Sequence, residues 1–223
     1  MKDHYAHFAG YNAWANRRIY DAAALLSDAE YRADKGAFFK SMHGTLNHLL
    51  TTDRIWMRRF TGEGEAPDRL DAVLHERLAD LSAARGAEDR RIVAWVDSLD
   101  EARLKGVIRY RRVSTPDEFV QPLMPALDHW FNHQTHHRGQ AHVILTSLGK
   151  KAPELDLLYY QREVEAGRAG KGVHDASVRV ACRRSCRCLR GHRCARCQDE
   201  ANGRRERTRA APAASGQGIA YPC

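Results

Sequence analysis

Histidine carries the chemistry most open to reading in this chain. Ten histidines fall in the first 160 residues, at positions 4, 7, 43, 48, 75, 129, 133, 136, 137 and 142. At about 100° per residue, His129, His133, His136, His137 and Gln140 share one side of a helix. His133 and His137 stand at i and i+4, so their imidazoles rise from one face a turn apart and can converge on one ion. A third ligand must come from another helix. His48, within Thr45-Leu-Asn-His-Leu-Leu-Thr-Thr-Asp-Arg-Ile-Trp56, is the best placed. Three imidazole nitrogens with a fourth position open to water or substrate match a catalytic zinc-type site, and nickel, iron or manganese could use the same set. Spacing alone leaves alternatives open. His129/His133 and Asn132/His136 are rival i,i+4 pairs, and the histidines can equally be read as scattered polar positions with no shared ion. His43 lies about 140° around the helix from His48, so the two should not both point inward. No HExxH occurs, which removes support for a zincin mechanism.

The elements that must position these residues read as helices. Phe8, Tyr11, Trp14, Ala15, Ile19, Ala22 and Leu26 recur at helical spacing and predict a helix over about Tyr5–Ser27. Phe38, Met42, Leu46, Leu49, Leu50, Trp56 and Met57 predict a second over Ala37–Phe60, ended by Thr61-Gly62-Glu-Gly64. After a connector with Pro67, two helical pieces are expected, Leu70–Leu81 and Glu88–Leu99, divided near Gly86. Residues 104–113 alternate branched and aromatic types, as a short strand or hairpin arm does. Thr115-Pro116-Asp117-Glu118 resembles a helix start that Pro122 and Pro125 interrupt or reset, and the last long helix is predicted over Ala126–Leu148, stopped by Gly149. The expected fold is all-α, an antiparallel four-helix bundle with a strand or hairpin insertion near 104–113. The segment from Pro153 to Gln161 could cover one end of it through Leu155, Leu158 and Tyr159.

Charge and cysteine divide the chain. The formal +8 comes entirely from residues 161–223, because residues 1–160 hold 22 basic and 22 acidic side chains. All six cysteines lie in that last stretch, while every Trp, Phe and Met precedes it. A neutral body removes the electrostatic reason to expect nucleic-acid binding. No apolar run approaches the roughly 20 residues that span a bilayer and no signal-peptide core opens the chain, so a soluble, cytoplasmic protein is expected. There is no GxGxxG, GxxxxGK[ST] or G-x-S-x-G segment. Two regions are expected: a helical body over 1–162, and an Arg/Cys-rich tail over 163–223 that lacks core residues and reads as disordered. In the tail Cys182, Cys186, Cys188, Cys194 and Cys197 form C-x3-C-x-C-x5-C-x2-C, without the paired CxxC of a zinc ribbon. Its composition suits an out-of-frame extension of GC-rich coding sequence better than a metal site or a nucleic-acid arm.

Asn132-His-Gln-Thr-His-His-Arg-Gly-Gln140, combined with His48 and with Tyr11-Asn-Ala-Trp-Ala-Asn16, resembles the DinB (damage-inducible) family. The resemblance covers about residues 1–162, as far as Leu155-Asp-Leu-Leu-Tyr-Tyr-Gln-Arg162. It implies a four-helix bundle holding one divalent ion on three histidines, here His48, His133 and His137, with His136 a neighbour rather than a ligand. Zinc or nickel is the expected ion. Asn47, Arg138 and Gln140 are the expected supporting residues: Gln140 could bond a ligand's second nitrogen or a water, and Arg138 an acid across the bundle or a substrate. Asp53 and Trp56 are candidate neighbours of the site, and Trp14 a core residue. Similar proteins include transferases that join a low-molecular-weight bacterial thiol, bacillithiol or mycothiol, to an electrophile, and thiol-dependent maleylpyruvate isomerases. A metal-activated thiol attacking an electrophile is therefore the expected chemistry; a non-catalytic metal-binding stress-response protein and a metal-dependent hydrolase are the alternatives. The resemblance also implies a homodimer. The family name describes regulation by DNA damage rather than contact with DNA.

Overall fold

The computed structural model describes residues 1–111 and 117–167. The chain divides into two units, Met1–Lys171 and Gly172–Cys223, and every described residue belongs to the first. The expected Arg/Cys-rich tail, with its five closely spaced cysteines, lies outside the described residues beyond position 167.

The elements in order are α1 (Lys2–Ala23), α2 (Asp28–Arg32), α3 (Met42–Thr61), α4 (Leu78–Ser98), α5 (Glu101–Leu104), β1 (Val107–Arg111), β2 (Glu118–Pro122) and α6 (Leu123–Ser147), followed by a helix over 157–167, here α7. Local sequence sets most of the ends. Ser27 and Glu30 form a reciprocal capping box at α2. Ser41 Oγ accepts from the Gly44 amide at the start of α3. Gly62 closes α3 in the left-handed region, at φ 77°, its amide bonded to the Arg58 carbonyl. Among the described residues no helix is long and apolar enough to cross a membrane.

Four long helices share the core: α1 packs on α4 and α6, and α3 packs on the same two. Residue pairing gives their directions. Tyr5 donates to Asp128 and Arg138 donates to Asn12 and Asn16, so α1 and α6 run the same way. Asp53 meets Arg85 and Phe60 stacks on Trp95, so α3 and α4 are also parallel. The α3–α6 pair is antiparallel, with Asp53 at Trp130 and His48 beside His137. Parallel α3 and α4 require the chain to return the length of a helix, about 30 Å for 20 residues. Residues 62–77 make that return as an irregular crossover lying along α3.

That return explains the first correction. The apolar spacing of Leu70, Leu74, Leu78 and Leu81 predicts a helix from Leu70, yet α4 begins at Leu78. Side chains of α3 capture the backbone of 70–75 instead. Asn47 Oδ1 accepts from the amides of Leu74 and His75, Asn47 Nδ2 donates to the His75 carbonyl, and Thr51 donates to the Ala72 carbonyl. A backbone so bonded cannot close its own helical turns. Helix α4 also runs unbroken through Gly86, whose cost of about 1 kcal/mol against Ala is outweighed by tertiary packing. Residues 37–41 are not helical: Ala37 and Lys40 form a bridge, with Lys40 at φ 66°. The supposed helix start around Glu118 is the second arm of a hairpin, β2 pairing antiparallel with β1 from Val107↔Pro122 to Arg111↔Glu118. Pro125 then falls in the first turn of α6, where its missing N–H removes no helical bond. At the far end Leu155, Leu157, Tyr159 and Tyr160, rather than the exposed Leu158, pack on α1. Helix α7 extends past 162, and Glu163 accepts from Trp14 Nε1 at 2.7 Å.

A polar layer crosses the interior of the four helices. Arg85 of α4 lies 2.7 Å from Asp53 of α3 and 2.9 Å from Asp89. Asp89 accepts from Asn16 of α1, and Asn16 accepts from Arg138 of α6. Trp130 and Gln134, both of α6, donate to Asp53. Burial pushes the Asp53 carboxyl up to about 6, while Arg85 pulls it back. Removing one partner of such a pair strands the other charge in the core. Asp53→Ala is expected to lower stability by about 3–5 kcal/mol in urea unfolding, and Asp53→Leu/Arg85→Met to cost much less than its two single changes together. Additive single effects would show that the pair is not coupled.

Candidate metal centre

His48 projects from the middle of α3 at 3% exposure and faces His133 and His137 on α6. One ring nitrogen from each of the three lies within 4.8 Å of the others. The ring centroids stand 4.4 Å apart for His48–His137 and for His133–His137, and 5.3 Å apart for His48–His133. Among the described residues this is the group of three whose ligand atoms converge. His129, His136 and the other histidines are not part of it. His136 packs its ring 4.8 Å from His137 in an exposed position, and His129 sits 5.9 Å from His133.

Hydrogen bonds set which nitrogens are free. His48 Nδ1 lies 2.7 Å from the Leu70 carbonyl, which can only accept, so Nδ1 carries the proton. The Nε2 lone pair is then available, and that atom is buried without a partner. His137 Nδ1 donates to Gln140 Oε1 at 2.9 Å, while Gln140 Nε2 lies 3.2 Å from His136 Nε2, so the His137 Nε2 lone pair is the one available to a ligand. His133 Nδ1 is likewise buried and unpartnered. Buried polar atoms without partners are rare in folded proteins; other histidines carry them too, but only here do three histidine rings converge among the described residues, which fits a shared ion. Burial and mutual repulsion push His48 down to about 4 and His133 to about 3, and burial also lowers His137. All three are thus neutral donors at physiological pH, the form a divalent ion requires.

The supporting residues act by different routes. Gln140 touches a ligand ring directly. Asn47 fixes the crossover whose Leu70 carbonyl orients His48, and so acts through the backbone. Arg138 faces away from the cluster: it donates to Asn12, Asn16 and Thr135 and lies over the Tyr11 ring, with amides rather than an acid receiving it. Asp53 belongs to the polar layer, while Trp56 lines a cavity of about 500 Å³ that opens on His48 and His133. Trp14 is buried beside Tyr11 and Tyr160, as a core residue is. Sequence reasoning missed Phe39. Its neighbour Phe38, placed in the core by periodicity, is 79% exposed, whereas Phe39 stacks on His48 at 3.7 Å and 19° and approaches His137. The turn at Lys40, φ 66°, breaks the helical register that periodicity assumes.

The sequence profile of the DinB family matches residues 1–168. "Protein DinB" of Bacillus subtilis (strain 168) is 24% identical over 159 residues, spanning 67% of this chain and 89% of that protein. The crystal structure of a DinB-like protein from Bacillus cereus ATCC 10987 aligns with a TM-score of 0.49 at 16% identity, over 63% of this chain and 90% of that one.

If the three imidazoles bind one ion, His48→Ala, His133→Ala and His137→Ala should each weaken cobalt or zinc affinity by more than about 100-fold in a competition titration, and His75→Ala should not. Asn47→Ala and Gln140→Ala should cost about 10- to 100-fold, as loss of ligand-orienting bonds does. Tight, stoichiometric binding by His133→Ala would sink the assignment. The lowered histidines also give the metal-free protein a pH dependence. Unfolded histidines take up protons near pH 6.5, but folded His48 and His133 refuse them until about 4 and about 3. Metal-free stability should therefore fall as pH drops from about 6.5 toward 4, and fall less in His48→Gln, by thermal unfolding across that range.

Proposed function

The chain belongs to the DinB family, and we propose that it is a metal-dependent transferase that activates a low-molecular-weight thiol for attack on an electrophile. The observation that carries this reading is the opening of the cavity of about 500 Å³ onto two of the three converging histidines. A storage or purely structural site has no use for such a space; a site that admits a second molecule needs one. The residues fit a divalent ion, zinc or nickel: His48 and His137 are buried and His133 half-buried, one nitrogen of each converges on the others, and those of His48 and His133 are buried without a partner.

When bound, such an ion would supply Lewis acidity that lowers the pKa of a thiol or water beside it. The chain's own residues do the rest. His48, His133 and His137 would hold it, and the Leu70 carbonyl and Gln140 keep His48 and His137 in the tautomer that leaves Nε2 available. Phe39 covers one face of His48 and excludes water there. Residues 1–160 contain no cysteine, so the helices that carry the histidines offer no sulfur of their own, which fits a sulfur that arrives with a small molecule. In the transfer that sulfur bonds to the electrophilic carbon, the thiol proton passes to solvent, and the leaving group departs with its electron pair.

Metal-loaded protein should conjugate bacillithiol or mycothiol to a chloro-dinitrobenzene, and chelation or His137→Ala should abolish the product. Cobalt-substituted protein should develop a thiolate charge-transfer band with the active thiol. A spectrum that no thiol perturbs would falsify the thiol mechanism and leave hydrolysis or simple metal binding in its place.

A further inference from the structure

Beyond the histidines the same cavity leads to a concentration of positive charge. His48, Thr52, Trp56 and Arg59 recur along one stripe of α3, and all four line the cavity, with Tyr110 and Gln121 of the hairpin on its far wall. The Arg59 guanidinium lies 4.6 Å from the Trp56 ring centroid and 4.4 Å from that of Tyr110, against two rings that also touch each other at 5.6 Å. A second cavity of about 360 Å³ shares Ile55, Arg59 and Tyr110 with the first and adds Arg58, Arg109 and Arg111. None of the described residues lining either space is acidic. Glu118 approaches Arg109 at 3.8 Å from outside, and the Gly64 carbonyl accepts from Arg58. A guanidinium has five N–H donors and can serve more than one acceptor at once.

We infer that the metal-side cavity and the adjoining arginine cluster form one elongated site for a ligand with an anionic tail, phosphate or carboxylate, received first by Arg59. The geometry also sets a length. Arg59 lies over Trp56, eight residues beyond His48, so the charge of the tail sits about 12 Å along the helix axis from the histidines. Four arginines around a lobe whose described lining residues include no carboxylate, with Glu118 near Arg109 alone, favour a tail of more than one negative charge. The inference rests on the metal-site reading for the head of the ligand, but the tail site stands on its own residues.

Paired probes separate the two. Phosphopantetheine and pantetheine carry the same thiol and differ in one phosphate, and mercaptooctanoate and mercaptooctanol differ in one carboxylate. Bound to cobalt-loaded full-length protein and followed by the charge-transfer band, the anionic member of the preferred pair should bind at least about tenfold more tightly. Which pair shows the larger gap identifies the tail as phosphate or carboxylate. In Arg59→Met, which keeps an unbranched chain against the rings, the gap should fall below about threefold, and Arg59→Lys should restore part of it. Inorganic pyrophosphate, titrated into the metal-free protein by calorimetry, tests the tail site without any thiol. Binding that Arg59→Met weakens sustains the site even if no thiol meets the metal. Equal affinity within both thiol pairs, or no thiol binding together with no pyrophosphate binding, overturns the inference.

Discussion

Two arginines and two aspartates are buried where four helices meet, and their mutual satisfaction limits how those helices can be arranged. Arg85 must reach both Asp53 and Asp89, and Asp53 also takes bonds from Trp130 and Gln134. A slide of α3 against α6 by one turn, about 5.4 Å, would break the Trp130 and Gln134 bonds together, and a like slide of α3 against α4 would leave Asp53 and Arg85 unpaired in the core. The histidines sit on either side of this layer. His48 precedes Asp53 by five residues on α3, and His133 and His137 flank Gln134 on α6. The register that neutralises Asp53 is thus the register that brings three imidazoles together. Apolar packing around Leu46, Leu49, Trp130 and Leu145 supplies the bulk of the burial, while the polar layer selects one alignment from those such packing would accept.

Helix direction follows from the same arrangement. Because α3 and α4 run parallel, the chain spends 62–77 on a crossover, and that segment forms part of the wall of the site rather than a passive link. Leu70 contributes its carbonyl to His48 and also lines the cavity. The hairpin closes the opposite side through Tyr110 and Gln121. The irregular and extended parts of an otherwise helical protein therefore decide what reaches the histidines.

What could be read from the sequence follows the range of the interactions. The 3.6-residue recurrence of apolar positions located α1, most of α3 and α6, and the i,i+4 spacing together with the Asn132–Gln140 motif singled out His133, His137 and His48. Phe39 escaped because a turn at Lys40 changes which of two adjacent phenylalanines faces inward. The crossover escaped because its bonds join side chains of α3 to backbone groups 21 to 28 residues later, while its own leucines imitate helical spacing. The second hairpin arm was obscured by prolines that suit a helix start and a strand end equally well. Arg138, conspicuous in the motif beside the histidines, points across α6 to α1, a direction that helical phase suggests only once the face occupied by α3 is known.

The bond from His48 to the Leu70 carbonyl joins the histidine cluster to the crossover, and it acts in both directions. By reciprocity, whatever factor an ordered crossover adds to the affinity of the cluster for an ion, the bound ion returns to the persistence of the crossover. A segment held mainly by side-chain bonds from one helix belongs to the less stable part of a fold and opens before the core does. Ion exchange would then be timed by the opening of residues 70–75 as much as by the strength of the nitrogen–metal bonds. Loading the site would close one wall of the same chamber in which a second molecule must be received.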